Sequence, residues 1–241
     1  MTITPAAPRI YQLKIVLRAV TPLVWRRVLV TNTTTIVELH AIIQIAMGWE
    51  DLHLHQFRIY GKAYGVYRAG GMSFADNPHQ VTLATFRLRT GERFAYDYDM
   101  GDLWEHDIWL EHILPEDPPH AHPRCIAGAG DCPPEDCGGP IGYRALLREL
   151  TSWDTVEALR ADMGLIAERI LAFTDGGPRP NVDDRDFMDA VERLQEREEW
   201  LPTVFDRRTV NRALRAIGKE YPCVSRCRWS LLPTMAPGRS S

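Results

Sequence analysis

The stretch YQLKIVLRAVTPLVWRRVLV, residues Tyr11 to Val30, decides the fold. Leu13 and Ile15 alternate with Lys14 in its first half, a period of two that is typical of a half-buried β-strand. The letters TPLV then turn the chain, and VWRRVLV has the composition of a second strand. The sequence therefore predicts that a β-sheet begins close to the N-terminus.

A helix is predicted directly after these strands, in TTTIVELHAIIQIAMGW. Thr35 and Glu38 have the spacing of a capping box at its start, and Gly48 is a typical residue to end it. Further strands are predicted in HLHQFRIYG, VTLATFRL, RFAYDYD and DIWLEHILPE. The segment 117–142 is rich in Pro and Gly and is predicted to be one long loop, which implies a function or an internal staple.

Helical spacing of apolar residues dominates the chain after Tyr143. Because the strands come in runs and do not alternate with helices, a doubly wound fold is excluded. We predict an α+β fold: a mixed or antiparallel sheet or pseudo-barrel with one long N-terminal helix, followed by a helical C-terminal third. The predicted core spans residues 1–150 and includes the cysteine-rich PPED loop, the helical region spans 151–235 with a possible insertion at 152–200, and 236–241 form a disordered tail.

Composition and charge restrict the class of protein. The 241 residues carry a net charge of −4, which argues against non-specific nucleic-acid binding by the whole surface. No apolar run is long enough to span a membrane and no apolar signal-peptide region is visible, so we expect a cytoplasmic protein with reduced thiols and no membrane partner.

Charge is nevertheless uneven along the chain. Acidic residues dominate from Gly91 to Tyr143, and basic residues dominate from Arg207 to Ser241. The acidic segment suggests a metal or cation site and the basic segment suggests an anionic partner. The alternative is that both are solvated faces that pair with each other.

Three cysteines, Cys125, Cys132 and Cys137, lie within thirteen residues in CIAGAGDCPPEDCGGPIGY. Thiolates are favoured zinc ligands, so the loop predicts a zinc site that needs a fourth ligand from elsewhere. Two other interpretations stay open: small buried residues that brace a turn, and a reactive thiol, for which no neighbouring base is evident. The candidates for the fourth ligand are His106, His122, Asp131, Asp136 and the pair Cys223 and Cys227.

A second candidate site is built from histidines and carboxylates. His53 and His55 are two residues apart, a spacing that places both on one face of a strand. If these two met Asp102 and His106 in space, the four would form a catalytic metal centre for hydrolysis. The simpler interpretation is that the acidic residues stabilise a turn and that His106 is a satisfied buried histidine.

The third candidate site is the basic segment near the C-terminus. Arg207, Arg208, Arg212 and Arg215 have spacings that place them on one helix face, where they could contact nucleic-acid phosphates. The alternative is a solvated face, or one that pairs with the acidic middle of the chain. The sequence contains no phosphate-binding glycine loop, nucleophile elbow or zinc-protease motif.

Four stretches cover residues 10 to 150 almost continuously: YQLKIVLRAVTPLVWRRVLV, LHAIIQIAMGWEDLHLHQFRI, FAYDYDMGDLWEHDIWLE and CIAGAGDCPPEDCGGPIGYRALL. In this order they resemble the plasmid Ri Orf-three-like family of bacteria and archaea. VFDRRTVNRAL, residues 204–214, is similar to the closing F-D-x-x-x-V-N-x-x-L pattern of that family. The helical segment 152–200 looks longer than the usual spacer of the family.

The resemblance implies an α+β pseudo-barrel and an association with insertion elements, in which some members are TnpR-type passenger proteins. It implies no activity, and the sequence contains no serine- or tyrosine-recombinase pattern that would support a resolvase. It favours His106 over His122 as the fourth metal ligand, because the family more often has an aromatic residue at the position of His122. The recurring polar residues of the family correspond here to His53, His55, Asp99, Asp102, Trp104, His106, Cys125, Cys132, Glu135, Asp136 and Tyr143.

The sequence therefore predicts a transposon-associated binding or accessory protein, with no enzyme class indicated. Zinc is the cofactor expected if the loop binds metal, and the loop is otherwise a structural staple. The expected partner is a protein or nucleoprotein, with nucleic acid bound through the basic C-terminal helix. One alternative is a structural interaction module whose PPED loop docks a partner; the other is a metal-dependent hydrolase or nuclease. The residues assigned to zinc are Cys125, Cys132, Cys137 and His106, and those assigned to hydrolysis are His53, His55, Asp102 and His106.

Overall fold

A computed structural model describes residues 9–68, 71–115, 123–180, 183–199 and 201–220. Within these ranges seven strands form one sheet in the order β4-β3-β5-β6-β1-β2-β7, and every neighbouring pair is antiparallel. The strands are β1 (Arg9–Leu17), β2 (Trp25–Thr31), β3 (His55–Ile59), β4 (Lys62–Tyr64), β5 (Arg93–Tyr98), β6 (Trp104–Pro115) and β7 (Arg124–Ala129). The helices are α1 (Ile36–Met47), α2 (Gly139–Leu150), α3 (Trp153–Thr174), α4 (Arg185–Glu199) and α5 (Arg207–Glu220), with a 3-10 helix over Leu83–Phe86.

The predicted fold class is wrong about the long N-terminal helix and about the pseudo-barrel, and of the sheet types it allowed only the antiparallel one is observed. The sheet is antiparallel throughout and open, with β4 and β7 as its edges, so it forms neither a mixed sheet nor a pseudo-barrel. The first described elements are two strands, and α1 comes third with only 12 residues. Short links such as the one between β1 and β2 allow antiparallel pairing, whereas a parallel pair needs a long crossover. The helices lie mostly in the C-terminal half.

Two local predictions are also wrong. VTLATFRL is not a strand, because its central residues Leu83–Phe86 form the 3-10 helix with Leu83 and Phe86 both buried. The segment 117–142 is not one loop, because it contains β7 and the start of α2. The sequence of β7, RCIAGA, has weak strand propensity, but Gly128 is required there. A Cβ atom at Gly128 would lie 2.7 Å from the ring of Phe205.

One face of the sheet carries the hydrophobic core, and α1 covers it. Leu13, Phe57 and Trp104 from three different strands are fully buried in the same cluster as Leu39 and Ile43 of α1. The capping box at the start of α1 is confirmed. The Thr35 Oγ1 atom accepts a hydrogen bond of 3.2 Å from the Glu38 amide, and the Glu38 carboxylate accepts one of 2.7 Å from the Thr35 amide.

The C-terminal helices form two separate packing arrangements. α5 packs against both β7 and α1, and its apolar face is buried through Val210, Leu214 and Ile217. α3 packs mainly against α4, where Arg193 donates a hydrogen bond of 2.6 Å to Asp162. In the part of the chain that the structure describes, no helix combines the length and the apolar character needed to cross a bilayer.

Candidate functional site

Five arginines line one surface pocket of about 590 Å³ between β7 and α5, which we call the basic pocket. The four arginines that the sequence places on one helix face, Arg207, Arg208, Arg212 and Arg215, all take part. Arg124 at the start of β7 is the fifth, and sequence reasoning missed it because β7 was not predicted. The pocket is completed by Cys125, Ile126 and Asn211, so no acidic residue lines it among the described residues.

The position of α5 is fixed by residues of its first turns. Asn211 pairs with the backbone of Cys125 in both directions, since its Oδ1 atom accepts from the Cys125 amide and its Nδ2 atom donates to the Cys125 carbonyl, each at 2.8 Å. These bonds satisfy backbone groups of an edge strand that would otherwise lack partners. The Asp206 carboxylate accepts hydrogen bonds of 3.0 Å from the amides of Arg208 and Thr209 and so caps the helix. The segment 204–214 therefore holds α5 beside β7.

The positive charge of the basic pocket is not held in ion pairs within the described part of the chain, although the Asp206 carboxylate interacts electrostatically with Arg208. None of its five arginines lies within ion-pair distance of a carboxylate in those residues. Arg207 donates a hydrogen bond of 3.0 Å to the carbonyl of Ile126, and the Nε atom of Arg124 is buried with no hydrogen-bond partner among the described residues. The alternative in which these arginines pair with the acidic middle of the chain is not observed in the described ranges.

The predicted zinc ligands do not converge in the described residues. Within those ranges, two groups of three His, Cys, Asp or Glu side chains have ligand atoms within 4.8 Å of one another, and neither group contains Cys125, Cys132, Cys137 or His106. Of the other candidates, His122, Cys223 and Cys227 lie outside the described residues. Asp136 belongs to one of these two groups, together with His53 and Asp99, and Asp131 belongs to neither. The zinc site stays a prediction, without support from the geometry of these four side chains.

The thiols are also poorly placed for reactivity. Burial raises the pKa of Cys125 and of Cys132, and it raises the pKa of Cys137 to about 11. A nucleophilic or metal-binding cysteine acts as the thiolate, which a raised pKa disfavours at neutral pH. The reactive-thiol interpretation is therefore not favoured by the surroundings of these residues.

The cysteine loop, residues 130–138, is held to the rest of the chain by hydrogen bonds. The Pro133 carbonyl accepts a bond of 3.0 Å from the Trp49 indole, just after α1. The Glu135 carboxylate accepts a bond of 2.9 Å from the Glu50 amide and a second bond from the Tyr98 hydroxyl. These contacts tie the loop to the end of α1 and the end of β5.

The cysteine loop also contacts the β5–β6 turn and the segment before α5. The Asp102 carboxylate accepts a bond of 3.0 Å from the Gly138 amide. Cys132 and Thr203 exchange two backbone bonds, of 2.8 and 2.9 Å. Several polar residues that the family resemblance marked out, including Asp102 and Glu135, therefore have structural partners.

The four residues of the predicted hydrolytic centre occupy different surroundings. His106 is fully buried, and its Nδ1 atom is 3.0 Å from the Trp104 carbonyl, while its Nε2 atom has no hydrogen-bond partner among the described residues. Burial lowers the pKa of His106 to about 4 and that of His55 to about 2. The expectation that His53 and His55 share one strand face is wrong, because β3 begins only at His55.

The structure brings together two other groups that contain these histidines. His40, Asp51 and His55 form a largely buried group, and His53, Asp99 and Asp136 form a second group nearer the surface. The rings of His40 and His55 are stacked at 3.5 Å with an interplanar angle of 8°. Because an imidazole binds metal in the plane of its ring, two parallel rings cannot point their nitrogens at one ion. No sequence pattern pointed to His40, which lies inside α1.

Comparison with known proteins places the chain among relatives without an assigned activity. Residues 9–164 match the model of the family described as plasmid pRiA4b ORF-3-like protein. The uncharacterized protein y4hQ of Sinorhizobium fredii (strain NBRC 101917 / NGR234) is 37% identical over 145 residues, which are 58% of this chain and 73% of that protein. The crystal structure of MM3350, a protein of unknown function from Methanosarcina mazei Go1, is similar with a TM-score of 0.60 and 27% identity, over 84% of this chain and 97% of that one.

Proposed function

The chain belongs to the plasmid pRiA4b ORF-3-like protein family, and on that premise we propose that it is a binding protein that holds nucleic-acid phosphates in the basic pocket. One observation carries the proposal: five arginines share one pocket, and no described acidic residue lines it. Guanidinium groups match the geometry of phosphate oxygens and stay charged at every physiological pH. A phosphate-bearing polymer is the ligand that this arrangement fits best.

The ligand would be held by side chains and not by the start of α5. Phosphates often bind at the free backbone amides of a helix N-terminus. Here Asp206 already accepts hydrogen bonds from the amides of Arg208 and Thr209. Recognition would therefore depend on the arginine side chains, which act through charge and carry no base specificity by themselves.

The positive charge of the basic pocket would have to outweigh the repulsion between nucleic-acid phosphates and a chain with a net charge of −4. Salt weakens such binding strongly, because each phosphate contact releases counterions. An accessory role on an insertion element is compatible with a phosphate-binding pocket. That association, like the TnpR-type resemblance, stays a prediction.

The two alternative functions have less support. A hydrolase built on His53, His55, Asp102 and His106 would need these side chains to meet, and no three of them have ligand atoms within 4.8 Å of one another in the described part of the chain. An interaction module would need free groups on the PPED loop, but Pro133 and Glu135 there already contact the chain itself.

Binding is tested by fluorescence anisotropy with a labelled DNA duplex and a labelled single strand at low salt. Arg208→Glu with Arg212→Glu reverses two charges of the basic pocket and should weaken binding by about tenfold or more. The matched control is Arg144→Glu with Arg148→Glu, an exposed pair on α2 with the same spacing. The control variant changes the net charge by the same amount and should weaken oligonucleotide binding much less.

Two results would contradict the proposal. The first is a wild-type protein that binds neither oligonucleotide at low salt. The second is equal weakening by both double variants, which would mean that net charge and not the basic pocket controls binding.

A further inference from the structure

A group of polar side chains lies where three segments meet: the residues before β3, the β5–β6 turn and the cysteine loop. The Nε2 atom of His53 is 3.6 Å from the Asp99 Oδ2 atom and 3.2 Å from the Asp136 Oδ1 atom. One ligand atom from each of the three residues lies within 4.8 Å of the other two. We propose that these three side chains form a binding site for a divalent transition-metal ion.

One polar atom at this position lacks the partner that a buried polar atom normally has. Asp99 is only 6% exposed, and its Oδ1 atom accepts hydrogen bonds from the Gly101 and Asp102 amides. No described residue donates a hydrogen bond to its Oδ2 atom, which points to His53. The Nε2 atom of His53 is itself shielded from solvent, and among the described residues its contact with Asp136 is at ion-pair distance without forming a hydrogen bond. Buried polar atoms are nearly always satisfied, so this nitrogen favours a bound ion beside it.

The separations between these atoms fit a shared ion. Zinc binds histidine nitrogen and carboxylate oxygen at about 2.0 to 2.2 Å, which puts neighbouring ligand atoms about 3.0 Å apart in octahedral and about 3.4 Å apart in tetrahedral geometry. The two separations from the His53 Nε2 atom, 3.2 and 3.6 Å, are close to these edge lengths, and the carboxylate oxygens of Asp99 and Asp136 lie within 4.8 Å of each other. Small side-chain rotations would therefore complete the coordination.

Charge favours a cation at the same point. Asp99 and Asp136 place two carboxylates beside one imidazole, and neither forms an ion pair with a lysine or arginine among the described residues. Two carboxylates that share a site repel each other when both are ionised. A divalent ion would remove this repulsion.

The donor set and its exposure indicate the class of ion. One imidazole with two carboxylates suits Mn²⁺, Zn²⁺ or Fe²⁺, whereas Ca²⁺ takes six to eight oxygen ligands. The Asp136 side chain is 67% exposed, so the outer side of the site is open to water. Such an open position would accept water or an oxygen atom of an anionic ligand. The site contains no cysteine, so its ligands differ from those of the predicted zinc site, although Asp136 belongs to the cysteine loop.

The test is an electron paramagnetic resonance titration of the chelator-treated full chain with Mn²⁺, an ion that thiolates do not favour. We expect one saturable Mn²⁺ per chain, with affinity reduced about tenfold or more in His53→Ala and in Asp136→Asn. The matched controls are His79→Ala and Asp175→Asn, two exposed positions that should bind Mn²⁺ like the wild type.

The outcomes distinguish a bound metal ion from an ion pair between a protonated His53 and the two carboxylates. If His53 only pairs with the two carboxylates as an imidazolium, no saturable Mn²⁺ will be found, and the proposal is overturned. Equal binding by the wild type and both site variants would overturn it as well. Thermal unfolding of each variant shows whether it is folded, and Asp136→Asn, on an exposed side chain, keeps the test valid if His53→Ala does not fold. Since the site is distinct from the basic pocket, this result leaves the nucleic-acid proposal untouched.

Discussion

His106 illustrates how burial decides the chemistry of a single side chain. Its sequence neighbours suggested a metal ligand or a catalytic group, but the side chain is fully buried between Trp49 and Tyr96. Burial holds its pKa near 4, so the ring is neutral at physiological pH. A histidine that is buried and neutral in the folded chain, but exposed to water in the unfolded chain, makes the free energy of unfolding depend on pH.

Stability should fall as the pH falls below about 6.5, the pKa of an unperturbed histidine. In that range His106 is protonated in the unfolded chain, whereas in the folded chain it stays neutral until the pH approaches 4. The stability from His106 is fully present above pH 6.5 and is lost towards pH 4, at no more than about 1.4 kcal/mol per pH unit. His55, whose pKa is lowered to about 2, adds a dependence of the same sign. Urea unfolding from about pH 7 to about pH 4.5 measures the slope.

Replacing His106 isolates its share of this slope. His106→Gln removes the titrating group and should flatten the fall in unfolding free energy between pH 6.5 and the acid end of the series. His79→Gln, at an exposed position, is the control and should leave the slope unchanged. An identical slope in wild type and His106→Gln would show that His106 is not protonated on unfolding.

At the scale of elements, local patterns predicted those elements whose stabilising contacts are local. The capping box of α1 depends on Thr35 and Glu38, three residues apart, and it is present in the structure. β7 was missed because its stability depends on distant partners, namely β2 and the side chain of Asn211. The antiparallel order of the sheet was left open for the same reason, since pairing between distant strands is not encoded in any one of them.

The cysteine loop gives a prediction at this scale, because its contacts to the chain run through Glu135 and not through a cysteine cluster. Glu135→Ala removes the bonds to the Glu50 amide and the Tyr98 hydroxyl and should lower the unfolding free energy by about 1 to 3 kcal/mol. Cys137→Ala should cost less than about 1 kcal/mol and leave the metal content unchanged. Urea unfolding and metal analysis of the two variants provide the measurement.

The opposite ranking would support the zinc loop. If Cys137→Ala lost a bound zinc ion and destabilised the chain more than Glu135→Ala, zinc bound by the thiols, and not Glu135, would hold the cysteine loop in place. Glu149→Ala, at an exposed position on α2, controls for the removal of a carboxylate.

At the scale of the whole molecule, the sequence named most of the polar residues that matter but not their grouping. It named the arginines of α5, and their common face followed from helical spacing alone. The sequence did not predict that Arg124 lies beside these arginines, or that Asp99 and Asp136 lie close to His53. These contacts depend on how the sheet and the cysteine loop fold. Helical periodicity is local information, whereas contacts between segments far apart in the chain are not.

The helical segment 152–200, predicted as a possible insertion, consists largely of α3 and α4. The two helices are joined by the Asp162 and Arg193 pair and by a hydrogen bond of 2.8 Å between Arg169 and Asp184. The family match ends at residue 164, inside α3, while the basic pocket lies mostly on α5 beyond it. The phosphate-binding proposal therefore depends on the part of the chain that the family match does not cover.

The salt dependence of nucleic-acid binding tests the central claim most directly. With three to five phosphate contacts in the basic pocket, the logarithm of the binding constant for duplex DNA should fall against the logarithm of salt concentration with a slope of about −3 to −4.5. Arg208→Glu with Arg212→Glu should reduce the size of that slope by about 2, and Arg144→Glu with Arg148→Glu should leave it nearly unchanged. A slope near zero, or one that the Arg208 and Arg212 changes do not alter, would contradict binding through the basic pocket.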